Sequence, residues 1–136
     1  EPVRVMSALT AEIVNVMMRE AVVTGTGKNA EVAGYRVAGK TGTAEKPVDG
    51  GYYDDRNVTS FAAVFPYDRP QYALIVTLDD PKAGSEIGAT AAFNAAPAAG
   101  RMIERVAPLL GLAPRFEDIR PAGAALRSGE EKRSSL

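Results

Sequence analysis

Apolar and polar positions follow two rhythms along this chain, and the switch between them marks its elements. Residues 1–6 carry no period and read as extended. From Ser7, a residue suited to cap a helix, Leu9, Ile13, Val16 and Met17 recur at i, i+4, i+7 and i+8. Glu12, Asn15 and Arg19 fall on the opposite side, so the segment predicts an amphipathic helix with the Leu9–Met17 stripe inward. Glu20 continues the apolar series and is read as sitting at the helix edge. Thr24-Gly25-Thr26-Gly27 ends the helix, and residues 28–34 read as polar loop or a short extended piece. The period then drops to two. Tyr35 to Ala44 is rich in strand-forming residues, and Lys46 to Arg56 reads as a loop around Pro47, Gly50 and Gly51. Val58 to Phe65 predicts a second strand, with Val58, Ser60, Ala62 and Val64 on one face and Thr59, Phe61, Ala63 and Phe65 on the other.

Pro66-Tyr67-Asp68-Arg69-Pro70 makes a tight connection to a third strand, Tyr72 to Leu78. That strand is apolar on both faces and is therefore expected in the sheet interior. Residues 80–95 read as irregular. Pro97 suits the first residue of a last helix whose apolar side is Met102, Ile103, Val106 and Leu110, closed by Pro108 and Gly111. From Arg115 the pattern is lost, and "RSGEEKRSSL" reads as a charged tail. Helix, three strands in a meander and helix give an α+β class: an antiparallel sheet with an N-terminal and a C-terminal helix on one face. The organisation expected is a domain over 1–114 and a tail over 115–136.

Composition removes several chemistries. The 136 residues suit one domain, and 46% hydrophobic residues suffice for a core. The charge is balanced, 16 basic against 17 acidic residues, so nucleic acid is not an expected partner. With no cysteine and no histidine there is no disulfide, thiol nucleophile, zinc finger or internal Ser-His-Asp triad. Metal ligands and cofactors are not expected: Asp49, Asp54 and Asp55 lack a calcium-loop pattern, and Asp79-Asp80 reads as a strand exit. No apolar run of about 18 residues exists. The chain opens at Glu1-Pro2-Val3 without Met, which suggests a piece of something longer.

The chemistry concentrates in "GYRVAGKTGTAEKP", residues 34–47. Gly34 to Thr41 fits the phosphate-loop pattern G-x-x-x-x-G-K-[ST], while Lys40-Thr41-Gly42-Thr43 is a K-T-G triad followed by a hydroxyl residue. A phosphate loop needs a buried strand before Gly34 and a helix starting at Lys40. Here polar Lys28–Ala33 precedes it, and Gly42 and Pro47 follow. A strand explains more. Thr41 and Thr43 alternate onto one side and can donate to a carboxylate, Lys40 adds positive charge, and Gly42 lets a ligand approach the backbone. A sheet edge would let an extended peptide pair there. Tyr52 and Tyr53 could border such a cleft, or simply pack at the surface.

Three blocks, "GTGKNAEVAGYRVAGKTGTAEK", "SFAAVFPYDRPQYALIVTLDDPK" and "NAAPAAGRMIERVAPLLG", in this order and spacing resemble the C-terminal part of the transpeptidase domain of class B penicillin-binding proteins. The last block most resembles the cell-division, or septal, branch. The resemblance implies a five-stranded sheet with terminal helices on one face. It also implies a serine-acylating D,D-transpeptidase that cross-links peptidoglycan stem peptides ending in D-Ala-D-Ala and is trapped by β-lactams, acting at the periplasmic face of a bacterial inner membrane. It makes Lys40 and Thr43 catalytic: Lys40 supplies charge and aids proton transfer, and the Thr43 N–H is one of two oxyanion donors. Thr41 and Thr43 would hold the carboxylate and Gly42 would leave room. Other division proteins are possible partners.

The family's S-x-x-K and S-x-N motifs are not here: none of the serines at 7, 60, 85, 128, 134 and 135 begins either one. The nucleophile is thus expected in an upstream part of the same enzyme, and this chain alone is expected to be inactive and poorly soluble. The alternatives are a non-catalytic peptide- or protein-binding module keeping the same sheet, and a nucleotide-binding loop.

Overall fold

A computed structural model describes residues 3–48, 50–82 and 90–116. Helix α1 (Ala8–Val23) is followed by a 3-10 turn at Lys28–Ala30, strands β1 (Ala38–Val48), β2 (Gly51–Phe65) and β3 (Tyr72–Asp79), and helix α2 (Ala95–Leu109). The strands form one antiparallel sheet in the order β1-β2-β3. The α+β class holds, and several local expectations do not. The segment 46–56 is no loop. β1 runs on to Val48, with a register irregularity between Glu45 and Pro47, and β2 already begins at Gly51. An edge strand tolerates Pro47 at such an irregularity because the missing N–H is not needed by a second neighbour. Asp49, residues 83–89, those from 117 onward, and the side chains of Tyr52, Tyr53, Asp54 and Asp55 lie outside what is described. The tail is therefore represented by Arg115 and Phe116 alone.

The third strand is also placed differently. Within the described sheet β3 is an edge, and its exposure alternates along its whole length. Tyr72, Leu74, Val76 and Leu78 pack on the core, while Ile75, equally apolar, is 72% exposed. Central β2 supplies the buried face through Thr59, Phe61, Ala63 and Phe65, one of the two faces read from the sequence. Phe61 is fully buried, directly opposite Thr41 on β1 and Val76 on β3. Its ring occupies the space beside Gly39, where an added Cβ would lie 2.3 Å from Phe61 Cζ.

Both helices join this core, by faces other than those expected. In α1, Ser7 caps the helix as predicted, its Oγ accepting from the Thr10 N–H at 3.0 Å. The stripe Leu9, Ile13 and Met17 nevertheless faces solvent, and the buried residues are Arg19 and Val22. The reason is what α1 meets. It lies against the entry to β1 and the β2–β3 turn, which present backbone carbonyls. Arg19 Nη1 donates to Val37 O at 2.6 Å, and Asn15 Nδ2 donates to Tyr67 O. Arg19 also forks onto both Glu31 carboxylate oxygens and lies 5.4 Å from the Tyr67 ring centroid. Donors are required on that face, so a purely apolar stripe would leave the carbonyls unpaired.

In α2, Asn94 is the cap and Pro97 sits third, still in the first turn. Of the expected apolar side, Ile103 is buried while Met102 and Leu110 are exposed. The face turned inward is Ala95, Ala96, Ala99, Gly100, Ile103 and Ala107. A Cβ at Gly100 would sit 3.2 Å from Asn29 O and 3.3 Å from Ala30 Cα, so close approach to the 3-10 turn selects small residues there. Gly111, at φ 78°, ends the helix, with the Leu112 N–H returning to Ala107 O at 3.0 Å.

A second charged node closes the far end. Asp68, in the β2–β3 turn, accepts from Arg36 Nη1 at 2.7 Å and from Arg115 Nη2 at 2.6 and 2.7 Å. Backbone bonds from Tyr67 to Arg36 O and from Arg115 to Gly34 O tie the same three segments. Partial burial pushes the Asp68 carboxyl up, but hydrogen bonds and charge from Arg115 and then Arg36 outweigh it and hold it below its ordinary 3.8.

The following outcomes are expected in the protein carrying this chain. Gly39→Ala costs about 3 kcal/mol, because ring and backbone cannot both retreat. Gly42→Ala, whose Cβ would meet only the rotatable Ser60 Oγ at 2.7 Å, leaves the denaturant midpoint nearly unchanged. Arg19→Met costs about 2–3 kcal/mol in urea unfolding, since Glu31 and the Val37 carbonyl lose their donor, and Arg19→Lys recovers part of it. A depressed carboxyl contributes stability above its unfolded value and loses it as pH falls through the folded one. Wild-type stability therefore declines below a pH of about 4, and Asp68→Asn is less stable at neutral pH while losing less on acidification.

Candidate active site

Lys40, Thr41, Gly42 and Thr43 all lie within β1, in strand conformation and without a helical turn at Lys40. A phosphate loop requires that turn, so the nucleotide reading is set aside. β1 is an edge of the described sheet, and on its outer side half of its backbone groups face away from β2. Alternation splits the four residues between two faces. Thr41 and Thr43 stand opposite Phe61 and Thr59, on the face that carries the core; Lys40 and Gly42 stand opposite Ala62 and Ser60 on the other face. The expected pairing of the two hydroxyls on one side is what the register gives. The lysine lies on the opposite face, its Nζ donating to Thr41 O at 2.7 Å.

Each threonine hydroxyl meets a group that sequence reasoning missed. Thr41 Oγ1 is 2.8 Å from Thr26 Oγ1. Thr26 arrives there because the turn after α1 folds tightly back. A Cβ at Gly25 would lie 2.8 Å from Ala21 O, and one at Gly27 would lie 3.1 Å from both Ala21 O and Val22 Cγ2. Thr43 Oγ1 accepts from the Ala91 N–H at 3.1 Å. Ala91 opens a turn that leads into α2 and is pinned by the Ala96 N–H to Ala91 O at 2.8 Å and by Asn29 Nδ2 to Ala92 O at 2.8 Å. The flanking "GTG" was a visible signal for Thr26, read only as a helix stop. Ala91 acts through its backbone and left no signal.

Thr59 is the other missed residue. It is fully buried on β2, directly opposite Thr43, and its Oγ1 has no hydrogen-bond partner among the described residues.

The edge strand can thus present a row of two hydroxyls, with an ammonium from the reverse face and a glycine between. Those are the elements needed to hold an anionic, extended ligand against backbone. Among the described residues no cluster of three metal-ligating acidic side chains exists. Asp79 and Asp80 are each engaged by a base, Lys46 Nζ at 2.5 Å and Arg56 Nε at 2.8 Å, as suits a strand exit. No described helix is long and apolar enough to cross a membrane.

Residues 1–99 match the family model described as the penicillin binding protein transpeptidase domain. The protein of Caulobacter vibrioides named "Probable peptidoglycan D,D-transpeptidase FtsI" is 42% identical over 94% of this chain and 24% of its own length. The chain therefore spans about a quarter of that relative. Solved structures of two relatives share the fold. The transpeptidase domain of Burkholderia pseudomallei penicillin-binding protein 3 superposes with a TM-score of 0.74 at 34% identity, covering 82% of this chain and 33% of that one. Penicillin-binding protein 3 from Mycobacterium tuberculosis, complexed with ampicillin, gives 0.72 at 33% identity, covering 90% and 29%. With the K-T-G strand at a sheet edge and a match across most of its length, this chain belongs to the penicillin-binding protein transpeptidase family.

Proposed function

We propose that this chain forms the K-T-G wall of a peptidoglycan D,D-transpeptidase site whose nucleophilic serine lies outside residues 1–136. The observation that carries the reading is the placement of the Thr41 and Thr43 hydroxyls side by side on an exposed edge strand. The ampicillin complex of a relative supports it, since ampicillin ends in a carboxylate as a stem peptide does.

In this reading the hydroxyls of Thr41 and Thr43 donate to the carboxylate of D-Ala-D-Ala or of a β-lactam. The serine oxygen attacks the penultimate carbonyl, and its proton passes to a base outside this chain. The oxyanion is held by the Thr43 N–H and the serine's own N–H. Such donors are worth about 10²–10³ in rate each. Collapse expels D-Ala, which takes up the proton, and an amine of a neighbouring strand then displaces the serine. Lys40 adds positive charge toward the cleft and assists proton transfer. Gly42 leaves the space in which the ligand approaches β1. The setting is the periplasmic face of a bacterial inner membrane, and the resemblance of the last sequence block to the septal branch favours a role at division.

The test is labelling of the full-length protein by a fluorescent penicillin. One acyl-enzyme is expected, at a serine outside 1–136. Thr43→Val and Lys40→Ala should each slow labelling by about 10²-fold or more, and Gly42→Ala by a similar factor through misplacement of the ligand. Labelling of any serine within the chain would overturn the assignment. A full-length protein that binds stem peptides and is never acylated would favour the non-catalytic binding module.

A further inference from the structure

The hydroxyl of Thr59 has no structural use that the fold reveals. Thr59 is fully buried, it sits on the central strand between Thr43 and Leu78, and its one side-chain polar atom has no partner among the described residues. The other idle buried atom among the described residues, Asn15 Oδ1, belongs to an amide whose nitrogen is already engaged with Tyr67 O. A buried hydroxyl without a partner costs stability, and valine has nearly the same shape, suits a central strand and carries no such cost. Packing alone therefore gives no reason for threonine at this position.

The nearest polar neighbour in the sheet register is Thr43. Directly opposed residues of an antiparallel pair share a face with Cβ atoms about 4.5–5.5 Å apart, a distance at which two threonine hydroxyls meet after one χ1 rotation. The Thr43 oxygen already accepts from the Ala91 N–H, which leaves its own proton to be given away and a second lone pair to be filled. We propose that Thr59 is a positioning residue for Thr43: its buried hydroxyl donates to Thr43 Oγ1 when an anionic ligand takes the Thr43 proton. The chain Thr59 to Thr43 to carboxylate then polarises the outer hydroxyl and fixes its rotamer, because each bond in a series strengthens the next. Thr59 touches no ligand and acts only through Thr43. This rests on the reading of Thr43 as a carboxylate-binding group.

The experiment measures second-order acylation of the full-length protein by ampicillin, alongside its melting temperature, for Thr59→Val, Thr59→Ser, Thr43→Val and the Thr59→Val/Thr43→Val double variant. Thr59→Val should acylate about 3–10-fold more slowly while melting no lower than wild type. Thr59→Ser, which keeps the hydroxyl, should retain the wild-type rate. With Thr43→Val present, Thr59→Val should add nothing further. An unchanged rate in Thr59→Val, an equal loss in both backgrounds, or a loss that follows a lowered melting temperature would each overturn the proposal. Failure of the wild-type protein to acylate would remove the transpeptidase reading and this one with it, whereas normal wild-type acylation with a normal Thr59→Val removes this one alone.

Discussion

The ring of Phe61 and the missing side chain of Gly39 are one constraint, and the rest of the site depends on it. A strand that offers its outer edge to a ligand cannot be buttressed from that side. It has to be held by its single neighbour and by what lies beneath. Phe61, the largest fully buried side chain, fills the space under β1 that any residue but glycine would claim at 39. The strand is thereby seated one residue before Lys40, and the register that follows sends Thr41 and Thr43 to one face and Lys40 and Gly42 to the other. Packing of the core and placement of the chemistry are the same event here.

Charge holds the ends where packing cannot reach. Arg19 binds Val37 O, the last carbonyl before β1, and Glu31 beyond the 3-10 turn. Asp68 gathers Arg36 and Arg115, and so joins the approach to β1, the β2–β3 turn and the segment after α2. Guanidinium suits both tasks, since its planar fork can serve a carboxylate and a carbonyl at once. The Asp68 node, held in part by the more exposed Arg115, is worth less than the Arg19 node, whose guanidinium is buried, because solvent screens it.

How much of this was legible depended on the kind of force involved. The strands could be read because a period of two survives in Val58–Phe65, where one face is entirely covered. The helix faces could not. A hydrophobic stripe predicts burial only if the partner surface is apolar, and α1 meets backbone carbonyls, so Asn15 and Arg19 took the inner face from Leu9 and Met17. For α2 the closeness of the 3-10 turn favoured alanine and glycine over the larger Met102 and Leu110. The K-T-G residues were visible as a motif, and their strand was correct though it starts at Ala38 and not Tyr35. Their partners were not visible. Ala91 contributes only an N–H, and Thr26 and Thr59 are common residues whose meaning appears once the turn after α1 brings Thr26 to Thr41 and the register sets Thr59 opposite Thr43.

The two threonine hydroxyls of the edge strand differ in what constrains them. Thr41 meets another exposed hydroxyl, Thr26, and either oxygen can be the donor. Its proton is therefore shared with a group equally able to rotate. Thr43 meets a backbone N–H, which can only donate, held by a turn that is itself tied to α2 and to the 3-10 turn. That contact forces the Thr43 oxygen to accept and its proton to point elsewhere. A fixed donor costs less reorganisation when an anion arrives than one that must first surrender a mutual bond. Of the two, Thr43 is the hydroxyl whose direction the fold itself sets, and the wall that sets it is built from backbone and small side chains.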